Sequence, residues 1–222
     1  MTTNAAADQL EAITHLPPGG RLILSDVNWG DYEELLSRIG DSSHFRTSYS
    51  NGRLEVMSPS TKHEKYKNLI SWLVAAVCDE LGVDVISFGS FTMKIDRLRM
   101  GAEADDCFYL RRMQPFAGED GPQLGTDPPP DLVVEIDITA DSRNKLDIYG
   151  SLGVPEVWRY DGSRLSVFQL IEGSYVSSEH SLCFSFLSAD RLTEILAGVS
   201  TGTHESWRVL REWIRANKPT TA

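Results

Sequence analysis

The stretch Asp131-Leu-Val-Val-Glu-Ile-Asp137 decides the fold. Its centre is β-branched and apolar, which suits a largely buried strand, and residues two apart in a strand project to one face. Asp131, Glu135 and Asp137 therefore share a side. Upstream, the segment from Glu103 to Tyr109 reads as another strand and places Glu103 and Asp105 together in the same way. Two acidic faces thus arise in segments that also read as core. Desolvating carboxylates side by side is costly unless a cation neutralises them, and hard divalent ions take oxygen ligands of this kind. A metal site is the economical expectation. The alternative is that the acids lie at strand ends in water or pair with basic side chains.

Lys145 follows Glu135 by ten residues, on a short helix read over Ser142 to Leu152 that starts beside the end of the acidic strand. From there its ammonium can reach the same pocket and hold or polarise a water, although helix lysines are commonly just solvated. On the other side of the acidic strand lies a loop from Arg111 to Pro130 that holds five of the ten prolines. Connections of this length in a compact domain are usually functional or disordered.

Further out, Phe45 to Ser50 and Arg53 to Met57 alternate apolar with polar residues around Asn51-Gly52, the signature of a two-residue hairpin. Glu55 points to the polar face of that hairpin and is a candidate cross-strand partner of Arg46. Ser58-Pro-Ser-Thr61 then leads into the longest helix, in which Tyr66, Ile70, Leu73, Val77 and Leu81 recur at helical spacing before Gly82 ends it. His63 lies on that apolar stripe, where a packed, hydrogen-bonded residue joining helix to site is expected ahead of a catalytic one. Glu64 beside it, near the start of the helix, is placed to complement the helix dipole.

The remaining elements are a helix from about Trp29 to Ile39 capped by Asn28, and strands over Val83 to Phe88 and Thr92 to Ile95. A strand pair over Val154 to Tyr160 and Arg164 to Leu170 follows, then helices over about Asp190 to Ala197 and His204 to Asn217. Residues 1–21, with a proline and glycine cluster at their end, read as a flexible arm, and 22–222 as one domain that includes the C-terminal helices within 190–217. The class is α/β (α+β): a mixed β-sheet flanked by helices, with an N-terminal β-hairpin. Trp207, Leu210, Trp213 and Ile214 share a face of the last helix, which suits either the core or a partner; a homodimer is the expectation taken.

The 222 residues are 41% apolar and 24% charged, a globular composition, and no run approaches a membrane span. Acids near the N-terminus stand where a signal peptide needs a basic start, and the three cysteines form no disulfide framework or zinc spacing, so a cytoplasmic protein is expected. The net charge of -11 repels polyanions over most of the surface, so contact with DNA needs a local patch. Lys62, Lys65 and Lys67, Arg97 and Arg99, and Arg111 and Arg112 are the basic groups available, although short charged groups are usually solvated faces. There is no phosphate-binding glycine loop, nucleophile elbow or zinc-binding His-Glu-x-x-His helix.

The order Gly52-Arg-Leu-Glu-Val-Met-Ser-Pro-Ser60, His63, Glu103-Ala-Asp105, Pro130-Asp-Leu-Val-Val-Glu135, Lys145 with Tyr149, and Gly153-Val-Pro-Glu-Val-Trp158 resembles the Uma-two family of putative restriction endonucleases, within the PD-(D/E)XK nuclease superfamily. The similarity covers roughly Asp26 to Leu170. It implies a restriction-endonuclease-like fold and a magnesium- or manganese-dependent endonuclease acting on the phosphodiester bonds of a nucleic acid, DNA before RNA. By position it makes Asp105 and Glu135 the metal ligands and Lys145 a catalytic lysine, with Glu64, His63, Asp137 and Glu103 as supporting candidates. Two positions depart from the pattern. Ala104 stands where proline is usual, and Asp137 stands where the lysine is expected, so Lys145 is taken as its migrated equivalent. The rival is a binding or regulatory module that keeps the nuclease fold without cleavage, motivated by Asp137 and the acidic charge.

Overall fold

A computed structural model describes residues 11–40, 44–110, 116, 121–138 and 142–219. The strands are β1 (Arg21–Leu24), β2 (Arg46–Ser50), β3 (Arg53–Met57), β4 (Val85–Ser87), β5 (Thr92–Ile95), β6 (Met100–Glu103), β7 (Asp106–Leu110), β8 (Leu132–Ile136), β9 (Glu156–Tyr160), β10 (Leu165–Ile171) and β11 (Ser174–Ser178). The main helices are α1 (Trp29–Ile39), α2 (Thr61–Leu81), α3 (Arg143–Leu152), α4 (Ala189–Val199) and α5 (His204–Asn217). The architecture is mixed α/β, as the residue pattern leads one to expect, but it has two sheets where one was expected.

The first sheet runs β1-β3-β2-β6-β5 and is antiparallel throughout. Its hairpin turns at Asn51 and Gly52, whose φ values of 50° and 78° lie in the left-handed region these two residues tolerate best. The second sheet runs β11-β10-β9-β8-β7-β4. Only β8 and β9 pair in parallel, which requires a crossover, and α3 supplies it. The strand expected over Glu103 to Tyr109 is broken: β6 ends at Glu103 in the first sheet, β7 starts at Asp106 in the second, and Ala104-Asp105 carries the chain across.

Alternation along β8 fills both of its faces. Leu132, Val134 and Ile136 join a core with α2, α4 and α5, while Val133 packs with Ile148, Tyr149 and Leu152 of α3. Helix α2 starts where the Ser60 hydroxyl accepts the His63 amide hydrogen bond at 3.2 Å, and ends at Gly82 in the left-handed conformation. Tyr32, Tyr49, Leu54 and Val56 form a third cluster behind the first sheet.

Two expectations need correction, and one open alternative is decided. The segment read as an arm is anchored at three points: Ile13 is buried, Leu16 packs on the third cluster, and the Gly19 amide donates to the Ser58 carbonyl at 2.7 Å. Residues 1–10 lie outside the described ones. The stripe on α5 serves the core, with Leu210 and Ile214 buried and Trp207 and Trp213 packed against the same cluster, so it does not carry the dimer expectation. Glu55 pairs with Arg21 at 3.2 Å and Arg53 at 2.9 Å, because the hairpin register sets it opposite Ser48 and sets Arg46 opposite Met57. Among the described residues no helix is long and apolar enough to cross a membrane.

Candidate active site at the seam between the sheets

Asp105 occupies the crossing between the two sheets and is 0% exposed. Its Oδ2 accepts the Ile136 amide at 2.7 Å and the His63 ring at 3.0 Å, which ties the crossing to β8 and to the first turn of α2. Its Oδ1 is buried without a hydrogen-bond partner. Burial opposes ionisation, but the His63 hydrogen bond, the Lys145 charge and the Ile136 amide outweigh it and hold the carboxyl below the ordinary aspartate range. A carboxylate oxygen only accepts, so His63 Nε2 carries the proton.

Glu135 sits on the face of β8 that looks toward α3 and is 2% exposed. Lys145 and Tyr149, one helical turn apart on α3, both reach it. The ammonium donates to the two carboxylate oxygens at 2.9 and 3.1 Å and to the Glu103 carbonyl at 2.9 Å, and the Tyr149 hydroxyl donates to Oε1. Burial works against the Lys145 charge, yet Glu135, Asp105 and Glu103 together raise its pKa above the ordinary value. The acids around it thus favour the ammonium form, which is the form that donates to Glu135 and to the Glu103 carbonyl. Burial also pushes Glu135 up to about 7 against the pull of Lys145, and Glu103 up to about 7 against that of Arg46.

Arg46 completes the group and was not singled out from the sequence as a site residue. It is 6% exposed, and its three nitrogens face three acids at 3.6 Å each: Nη2 faces Glu64, Nη1 faces Glu103 and Nε faces Asp105. One signal was available. Alternation in β2 puts Arg46 opposite in sense to Tyr49, which stacks on Tyr32 at 4.9 Å in the third cluster, so Arg46 must look the other way. A cleft opens onto the group, lined by Arg46, Ser48, Glu55, Glu135, Asp137 and Lys145.

The other candidates are placed as follows. Glu64 is partly exposed at the rim, 3.5 Å from His63 Nδ1. Asp137 shares the cleft but is engaged elsewhere: it accepts from Arg159 Nε at 2.8 Å and from the Ser142 amide at 2.9 Å, which pins the entry into α3. Asp131 accepts the Leu110 amide at 2.7 Å at the far end of β8. Lys62 and Lys65 are exposed at the start of α2, Lys67 lies 3.9 Å from Glu64, and Arg97 and Arg99 are exposed. Arg111 and Arg112 lie outside the described residues.

Among the described residues no group of three or more His, Cys, Asp or Glu side chains is arranged to hold a metal ion. The donors that fit one are the Asp105 and Glu135 carboxylates, hard oxygens suited to magnesium or manganese, with the buried Asp105 Oδ1 lacking any donor. Glu64, Glu103, Asp105 and Glu135 gather around Arg46 and Lys145, with Lys67 3.9 Å from Glu64 at the rim.

The family described as Uma2, putative restriction endonuclease, matches residues 29–201, a span that contains every residue of this group. No curated protein matches the chain. Among solved structures it is similar to a putative nuclease belonging to DUF820 from Anabaena variabilis ATCC 29413, at 16% identity and a TM-score of 0.46 over 67% of this chain and 89% of that one.

Proposed function

The chain belongs to the Uma2 family of putative restriction endonucleases, and from that premise we propose that it is an endonuclease hydrolysing phosphodiester bonds in DNA with magnesium or manganese. The observation that carries this reading is the meeting of Asp105, Glu135 and Lys145 from three separate elements, with Asp105 Oδ1 buried and unpartnered among them.

Asp105 and Glu135 would hold the cation, which when bound supplies Lewis-acid chemistry and neutralises charge growing on the attacked phosphate. His63 holds Asp105 as an oriented carboxylate, since the helix cap fixes the turn from which the ring reaches Oδ2. Tyr149 does the same for Glu135. Lys145, already charged, donates hydrogen bonds to a water or to a phosphoryl oxygen entering from the cleft. Lys62 and Lys65, at the same end of α2 as His63, are the phosphate-binding residues this reading assigns against the acidic remainder of the surface. A homodimer that cuts both strands belongs to the same reading, and sedimentation of the full chain tests it.

The test is nicking of supercoiled plasmid with magnesium or manganese, with chelator as control. Asp105→Asn, Glu135→Gln and Lys145→Met should each lower the rate by roughly 10²-fold or more, the usual scale for losing a positioned acid, base or electrostatic group. Undiminished cleavage by any one of them removes that residue from the site. A folded wild type that binds DNA but never cuts favours the rival, a binding or regulatory module.

A further inference from the structure

A guanidinium carries five N–H donors, yet Arg46 makes one hydrogen bond among the described residues, from Nη1 to the Phe45 carbonyl at 3.3 Å. Its Nε is buried and without a partner, as is Asp105 Oδ1 opposite it at 3.6 Å. The approaches to Glu64, Glu103 and Asp105, also at 3.6 Å, are ion pairs too long for hydrogen bonds. A buried guanidinium needs opposite charge around it. Three acids supply that charge, one to each nitrogen, so the group is held at the centre of a triangle of carboxylates without being fastened to any of them.

We propose that Arg46 is a resident counter-cation: it balances Glu64, Glu103 and Asp105 when the site is metal-free and competes with the divalent ion for them, so that it sets the metal affinity. This rests on the metal-dependent reading above and adds a positioning residue to it. A divalent ion entering beside Asp105 meets the positive charge of Arg46, whose Nε lies 3.6 Å from Oδ1, and repulsion over such a distance in a partly desolvated site is substantial. The guanidinium also lines the cleft through which an ion would reach Asp105. Removing its charge should tighten metal binding. A merely structural arginine predicts the opposite sign, because the acids it organises would be less well placed without it.

The experiment is calorimetric titration of manganese into the full chain without DNA, on the wild type, Arg46→Met and Arg46→Lys, with a thermal melt of each to establish folding. Arg46→Met should bind manganese at least about tenfold more tightly, a difference of ~1.4 kcal/mol, and Arg46→Lys should stay within about threefold of the wild type. If Arg46→Met does not fold, Arg46→Gln, which keeps donors toward the acids without the charge, is read for the same sign. Binding by the variant alone also supports the proposal, with the wild-type site closed by its own arginine. Unchanged or weaker binding in a folded variant, beside a wild type that binds, overturns the proposal and leaves the metal-dependent reading standing. Absence of binding in both overturns the two together. Failure of both neutral variants to fold makes Arg46 a scaffold residue and overturns the proposal as well.

Discussion

Replacing Asp105 with alanine should destabilise the metal-free protein, which matters for any attempt to read lost cleavage as a lost ligand. The carboxylate accepts from two buried donors, His63 Nε2 at 3.0 Å and the Ile136 amide at 2.7 Å. Alanine leaves both without an acceptor in a site closed to solvent, and an orphaned buried donor costs about 1–3 kcal/mol. Relief of the repulsion between Asp105 and Glu135 offsets part of that, so a net loss of roughly 2–4 kcal/mol is expected. At about 2–4 °C per kcal/mol for a chain of this size, Tm should fall by roughly 5–15 °C. Asparagine keeps an oxygen at the Oδ2 position, where it accepts from both the Ile136 amide and the His63 ring, while its amino group takes the Oδ1 position toward Arg46, so Asp105→Asn should lose less than half as much. The assay is a far-ultraviolet circular dichroism melt with chelator present. An alanine variant melting within about 2 °C of the wild type, or an asparagine variant melting below alanine, would refute the hydrogen-bond account of Asp105.

Three further outcomes follow from the same geometry. Tyr149→Phe removes a donor from a buried carboxylate, and should cost about 1.5–3 kcal/mol in melts without metal, the scale for hydrogen bonds to charged groups. Glu103 and Glu135, both raised to about 7 by burial, keep protons in the folded chain that the unfolded chain releases near 4.5. Their contribution to stability is complete below that value and lost as pH rises through about 7. Tm without metal should thus fall between about pH 4.5 and pH 7 and level off above that, and a flat profile over this range, or one equally steep in Glu103→Gln with Glu135→Gln, contradicts this. Asp105 titrates below that window and does not interfere. For DNA binding, substituting Lys62 and Lys65 together by alanine should reduce the log-log salt slope by about 0.9 for each phosphate no longer neutralised, and an unchanged slope moves the DNA path elsewhere.

What the sequence disclosed follows from which rules are local. The hairpin at Asn51-Gly52, the capped helix from Ser60 to Gly82 and the apolar alternation around Glu135 all depend on neighbours within a turn or a strand, and each is where the pattern puts it. β1 and β11 escaped because edge strands need little apolar alternation: Ser174-Tyr-Val-Ser-Ser178 is held by its pairing to β10 and reads in isolation as loop. The change of sheet at Ala104-Asp105 also escaped, since a period of two is the same on either side of it. Arg46 is the most consequential omission. Its side of β2 was legible, but its burial comes from α2 and from the β6 to β7 crossing, both far away in sequence.

The displaced lysine makes physical sense once Asp137 is placed. Two residues beyond Glu135, a strand lysine would project on the same face and point into the cleft beside it. Asp137 occupies that position and turns its carboxylate to Arg159 and the Ser142 amide, and Ser142 is the residue whose carbonyl receives the first amide of the turn that holds Lys145, at 2.8 Å. On the proposed reading, the residue that stands where the family pattern expects a lysine thus anchors the helix that carries Lys145. Position on α3 also gives the ammonium something a strand position would not: Tyr149 one turn later meets the same carboxylate, so Glu135 is held from two points on one rigid element. An acid at the strand position is for this reason no argument against catalysis. On the proposed reading the charge stands eight residues further along the chain than the family pattern expects, and the fold brings it to within 2.9 Å of Glu135.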